Sequence, residues 1–379
     1  MSSRITLKLF DMKNKEQIIQ QKLKFGIAAA LVADAATLGL HWVYNQNEIK
    51  QLIASDRNNS VSPLFHTPLA NKFYTHRNGQ LSVYGEELLP MFDSLLEDQA
   101  DHVLSNKDIL FKRYYDYFSA YPSRLNKMTK HFVQSVRDDN KSYADSVMVD
   151  AQANGFIKIP FLYGRYYNHA LPHTKMNEIV DFYVSSIQLG NETLVASQLA
   201  SKIYYQLLHN DPNRTLKNLV IGMEKNTMTT TNEERILLKN ALELSNKGSN
   251  NNTQVTDDAI FLKSCFKVGL SCALPHSFVV ALAISMKYEY DLISALSANC
   301  IVGGDNCSRS MLIAGFVALR EVDHGMTTNN KNTKKLDAKI NQLLLKCDDT
   351  IHSYIHRFNT FIDHNYKNVD SGSRTVSHL

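Results

Sequence analysis

A chain of 379 residues, 44% of them hydrophobic, has the apolar material for one large core or two modest ones. Its 41 basic and 37 acidic residues are interspersed, the formal charge is only +4, and no basic run alternates with aromatics, so nothing reads as a nucleic-acid footprint. Five cysteines, at 265, 272, 300, 307 and 347, are odd in number and lack C-x-x-C spacing, which points to a reducing compartment without a disulfide framework.

Residues 1–15 mix charges and read as an N-terminal extension without a secretory core. Over 16–40, Ile18, Ile19, Leu23, Ile27, Leu31 and Val32 recur at helical spacing and merge into an alanine-rich run, predicting a long buried helix. Asp34 and His41 interrupt that apolar stretch, which argues against a membrane span. A carboxylate on such a surface needs a cation, a partner or a chemical role; capping a neighbouring helix or pairing with an arginine are the structural alternatives.

Residues 55–80 are rich in Ser, Pro, Asn and Gly and read as a loop. A helix is predicted over 84–96, with Glu86 and Glu87 in its first turn, where the macrodipole favours acids; solvated acids are preferred over metal ligands there. Further helices are predicted near 107–120, 123–137, 177–188, 191–208, 213–224 and 232–245, with an Asn154-Gly155 turn before a short apolar segment. Polar breaks at 245–253 and 327–332 bracket apolar helices at 257–269, 275–287 and 290–299. A final amphipathic helix over 336–362 carries His352 and His356 four apart, read as ordinary histidines without a third ligand nearby. The expected fold is all-α, one large domain over 16–365 with a tail at 366–379. That tail ends in Ser377-His378-Leu379, which resembles a peroxisomal tripeptide; the cytoplasm is the expected location and the peroxisome the alternative.

The segment of most chemical interest is Gly303-Gly304-Asp305-Asn306-Cys307-Ser308-Arg309, ahead of the apolar run 311–319. Two glycines permit a tight turn, Asp305 or Asn306 can cap the next helix, and its N-terminus favours an anion, or a thiolate if Cys307 faces the opening. Buried, unreactive packing of Cys307 is the alternative.

Together with the Asp34 helix, this turn resembles the ADP-ribosylglycohydrolase superfamily, with its G-D-A-x-G segment near one end and G-G-D-T-D-T near the other. The wording is most similar to the J1-crystallin and selenoprotein J branch. It is carried by Ala33-Asp34-Ala35-Ala36, Leu40 to Tyr44, Phe73 to Arg77, Tyr84-Gly85, Asn154, Lys158-Ile159-Pro160, Leu274-Pro275 and Gly303 to Arg309.

The resemblance implies an orthogonal multi-helix domain that hydrolyses N- or O-glycosidic bonds of an ADP-ribose-like small molecule. It also implies a pair of Mg2+ ions held by a T-D-D-T run and by D-T-D-T. Here the first run is Ser82-Val83-Tyr84-Gly85, without carboxylates, and Cys307 replaces the middle aspartate of the second, while Asp305 and Ser308 remain as metal ligands. Mg2+ binding is therefore expected to be weakened. On the hydrolase reading, Asp34 holds a water or residual cation, His41 is the general base and Cys307 a nucleophile with a lowered pKa or a soft ligand. Asn154, Gly155, Gly303, Gly304, Asn306 and Arg309 contact substrate on the same reading. The alternatives are a structural, crystallin-like or ligand-binding protein that keeps the fold without the chemistry, or a thiol protein using Cys307.

Overall fold

The computed structural model describes residues 2–55, 62–97, 100–167, 171–209, 211–248, 254–327 and 331–370. Ser377-His378-Leu379 lies outside the described residues. Within them the chain forms eighteen α-helices, three 3-10 turns and one two-residue parallel strand pair, Met148–Val149 with Gln188–Leu189.

Two long helices make the axis. Ser2–Thr37 packs along Asn306–Thr327, and from Ile27 to Ala36 and from Met311 to Leu319 nearly every side chain is buried. A helix apolar all round has to be enclosed, and the alanines and Gly315 let neighbouring backbones approach closely. By length and composition the Lys15–Leu40 stretch could cross a membrane, but 89% of its apolar window is buried inside this fold. Around the pair pack Ile159–Tyr166, Asn191–His209, His276–Lys287, Leu292–Val302 and Asp349–Asp370, and the buried residues join into one hydrophobic core from Ile19 to Ile362.

Several predicted helices differ in extent, three of them for a clear local reason. The 84–96 helix divides into Val83–Glu87 and Leu89–Leu96, because Pro90 has no N–H to continue the ladder and starts the second segment. The 336–362 helix divides into Lys331–Leu344 and Asp349–Asp370, where Asp348 accepts from the Ile351 N–H and its own N–H goes to the Gly79 carbonyl. The 123–137 helix starts later, at Lys127, where Asn126 caps the Thr129 N–H. His352 and His356 are both exposed on the last helix.

A buried ionic network ties the axis together. Lys22 lies 2.5 Å from Asp323 Oδ1 and donates to the Leu207 carbonyl, while Arg320 lies 2.6 Å from Asp323 Oδ2 and also reaches Glu289 and the Tyr290 hydroxyl.

Candidate functional site

The Gly303-Gly304 turn builds the site. Both residues have positive φ, +83° and +68°, and a Cβ on Gly304 would lie 2.3 Å from the Leu270 carbonyl, so only glycine fits. Gly304 exchanges backbone hydrogen bonds with the 42–43 segment, accepting from Trp42 N–H at 2.8 Å and donating to the Val43 carbonyl at 2.7 Å. The Asp305 N–H goes to the Leu270 carbonyl, which leaves the Asp305 carboxylate directed at His41 and Tyr84.

Both carboxylate oxygens of Asp305 are taken. His41 Nε2 lies 2.6 Å from Oδ1 and the Tyr84 hydroxyl donates to Oδ2 at 2.8 Å. On its other side His41 Nδ1 is 2.7 Å from the Tyr74 hydroxyl. Burial pushes the His41 imidazole below its ordinary range, which favours a neutral ring with Nε2–H donating to Asp305 and Nδ1 accepting from Tyr74. Burial pushes the Asp305 carboxyl up, but its interactions with His41, and then the Tyr84 hydroxyl, outweigh it and hold it below the usual carboxylate range. Its countercharge is the fully buried Arg309, whose own donors go to Asn299 Oδ1, the Leu270 carbonyl and the Gly303 carbonyl.

Asp34 is held beside this network by one residue. Ser82 donates to it twice at 2.6 Å, from the backbone N–H to Oδ2 and from the hydroxyl to Oδ1, while the same Ser82 oxygen caps the Val83–Glu87 helix. Gly85 packs against the carboxylate, where a Cβ would come 2.4 Å from Oδ2. Burial dominates and raises the Asp34 carboxyl to about 7. Because the unfolded chain releases this proton near the ordinary value of 3.8 while the fold retains it, stability is expected to fall as pH rises from about 4 to 7. The contribution is up to ~4 kcal/mol. Denaturant midpoints of wild type and Asp34→Asn across that range check this; equal slopes for the two proteins would refute it.

Cys307 corrects the expectation of a reactive thiol. It is fully buried between the two axial helices, donates to the Asp34 carbonyl at 3.5 Å, and accepts from the Thr37 hydroxyl at 3.6 Å. Burial pushes its thiol well above the ordinary range, reinforced by Asp34, against the lowered pKa that a helix start alone would give. The thiols of intermediate exposure are Cys272 and Cys347. Iodoacetamide with peptide mapping should label those two on the folded protein and reach Cys307 only on unfolding; native labelling of Cys307 at the rate of a denatured control would contradict this burial.

The predicted substrate contacts are all buried in this fold. The Gly303 and Gly304 N–H groups are spent on Asn299 and Val43, Arg309 is satisfied internally, and Asn306 is buried with Nδ2 toward Cys300 and Oδ1 without a hydrogen-bond partner. Ser308 is buried with its hydroxyl on the Asp305 carbonyl. Asn154 and Gly155 lie inside the fold beyond Glu87: the Asn154 amide donates to Glu87, and a Cβ on Gly155 would meet Ser197. Glu87 is not a solvated acid either. Asn126, Thr129 and Asn154 all donate to it and Lys158 lies close; burial raises its carboxyl and lowers the Lys158 amine. Glu86 is half-buried and pairs with His76 at 3.0 Å.

The donor set does not fit Mg2+. A hard dication needs several free carboxylate or carbonyl oxygens; here both Asp305 oxygens and both Asp34 oxygens are engaged by protein donors, and a thiol fills the third position. No group of three metal-ligating side chains occurs among the described residues. The fold brings Asp34, His41, Asp305 and Cys307 near one another, with Ser82, Tyr74 and Tyr84 as hydrogen-bond partners that the sequence did not assign. The absence of carboxylates from Ser82-Val83-Tyr84-Gly85 was the available signal for two of them.

Crystallin J1A of Tripedalia cystophora is 25% identical over 317 residues, covering 79% of this chain and 87% of that protein. Crystallin J1B of the same organism is 24% identical over 318 residues, covering 79% and 88%. A solved chain described as an ADP-ribosylglycohydrolase-related protein complex superposes with a TM-score of 0.51 at 10% identity, covering 92% of this chain and 99% of that one, which establishes likeness of fold. With residues 15–321 matching the family model described as ADP-ribosylglycohydrolase, around an Asp34 helix and a Gly303-Gly304-Asp305 turn, this chain belongs to the ADP-ribosylglycohydrolase family.

Proposed function

We infer that this chain is a family member whose di-magnesium hydrolytic site has become a hydrogen-bonded structural core, and that it acts as a non-catalytic structural or ligand-binding protein. The observation that carries this reading is the complete engagement of Asp305: its oxygens accept from His41 and Tyr84, and neither remains for a cation. Burial of Asp34, His41 and Cys307 to essentially zero exposure supports it, since a general base or nucleophile has to meet its substrate. The likeness to crystallins J1A and J1B points the same way.

An ADP-ribose-like molecule remains the ligand class that the family suggests, bound without metal assistance on this reading. Incubation with ADP-ribosylated protein, with and without Mg2+, followed by chromatography of released ADP-ribose, tests it. The expected result is no release above the buffer rate in either condition; Mg2+-dependent turnover would refute the proposal.

A further inference from the structure

Above the buried site, the rim of the fold carries an arginine that the structure leaves unspent. Arg124 is exposed, and among the described residues it makes no ion pair and no hydrogen bond. Its guanidinium instead lies 4.5 Å from the Phe73 ring centroid and 5.1 Å from that of Trp42. Contacts of this kind engage the aromatic faces and leave the N–H fork free.

The frame around Arg124 is built with some cost. Trp42 has φ +63°, a left-handed conformation that a bulky residue adopts only when its surroundings impose it. Its N–H is anchored on the Gly304 carbonyl, and its indole stacks on Tyr74 at 5.1 Å with the rings 19° apart. Phe73 stands 64% exposed, so its ring is presented rather than packed away. The segments carrying Phe73 and Arg124 are tied together by Thr75 donating to Ser123 at 3.0 Å and by the Tyr121 hydroxyl at 3.3 Å from His76 Nε2. The other ring nitrogen of His76, Nδ1, is buried without a partner. Lys72, next to Phe73 in sequence, is exposed and makes no ion pair among the described residues, whereas the charge of exposed Lys127 acts on Asp150.

The chain thus leaves the exposed Arg124 guanidinium without an acidic partner among the described residues and holds it against two rings. We propose that Arg124, framed by Trp42 and Phe73, is the binding point for an oxyanion group, phosphate or carboxylate, of a small ligand at this rim. A planar fork takes two oxyanion oxygens in parallel, and its aromatic flanks reduce the competing water. The proposal goes beyond the loss of hydrolysis and does not depend on it.

Trp42 is the only tryptophan in the chain, so intrinsic tryptophan fluorescence reports directly on this frame. The protein is titrated separately with inorganic phosphate and with succinate, against sodium chloride at matched ionic strength. The expected result is a saturable change with at least one of the two oxyanions, with a midpoint on the order of 1 mM, absent from the chloride series. Arg124→Gln should raise the midpoint about tenfold or more, the loss of a charge-assisted pair. Arg124→Lys should weaken it less, and Phe73→Leu should weaken it while Arg124 remains. A response to only one anion identifies the oxyanion recognised. No saturable change with either anion, or the same midpoint in Arg124→Gln as in wild type, would overturn the proposal; an unchanged thermal unfolding curve shows that each variant is folded.

Discussion

Asp305→Ala is expected to destabilise the fold by ~3–5 kcal/mol. The carboxylate is buried, and its removal leaves the His41 Nε2–H and the Tyr84 hydroxyl without acceptors in the interior. It also removes the carboxylate that compensates Arg309, a fully buried guanidinium whose own hydrogen bonds go only to carbonyl oxygens. Asp305→Asn should be milder, because it keeps an acceptor while losing the charge. Urea denaturation midpoints of the three proteins measure this. An alanine variant as stable as wild type would show that Asp305 is not a structural member of the core.

The second large effect is expected at Asp323→Ala, again ~3–5 kcal/mol, because breaking a buried ion pair strands its cations. Lys22 and Arg320 are both almost fully buried, and each of the two Asp323 oxygens serves one of them, at 2.5 and 2.6 Å. Burial already lowers the Lys22 amine despite Asp323 beside it, so without the carboxylate Lys22 is expected to give up its proton in the folded state. The loss should therefore ease as pH rises toward the ordinary lysine range and deepen toward neutral pH. Asp116, whose pairing with Lys112 at 2.5 Å is exposed on both sides, is the control: Asp116→Ala should leave the midpoint where it is. A pH-independent or negligible Asp323→Ala effect would contradict the network's role.

The parts of the fold legible in the sequence were those set by local periodicity. The alanine-rich helix around Asp34 and the apolar run after Gly303-Gly304 announce a buried helical pair, and the double glycine announces a turn no other residue could make. Pro90 and Asp348 were also available as breaks, but the apolar spacing runs straight across both, and periodicity alone does not stop at a cap.

The sequence pointed to the segments around Asp34 and Asp305 but not to the hydrogen bonds that engage them. Asp34, His41, Asp305 and Cys307 were recognisable, whereas the residues that decide what they do come from far along the chain. Tyr84 meets Asp305 across 221 residues and Ser82 meets Asp34 across 48. Glu87 illustrates the same limit. Its position in a first helical turn argues for a solvated acid, and only the tertiary approach of Asn126, Thr129 and Asn154 encloses it. For Cys307 the helix start alone favours a lowered pKa, but the packing of the two axial helices removes the water that such a shift requires.

Isothermal titration of Mg2+ into the protein at neutral pH, alone and in the presence of ADP-ribose, tests the central claim most directly. With Asp305 held by His41 and Tyr84, and Asp34 held by Ser82, no binding heat above dilution is expected in either titration. Stoichiometric Mg2+ binding, in particular binding abolished by Asp305→Asn, would show that these hydrogen bonds open to admit the metal and would contradict the account.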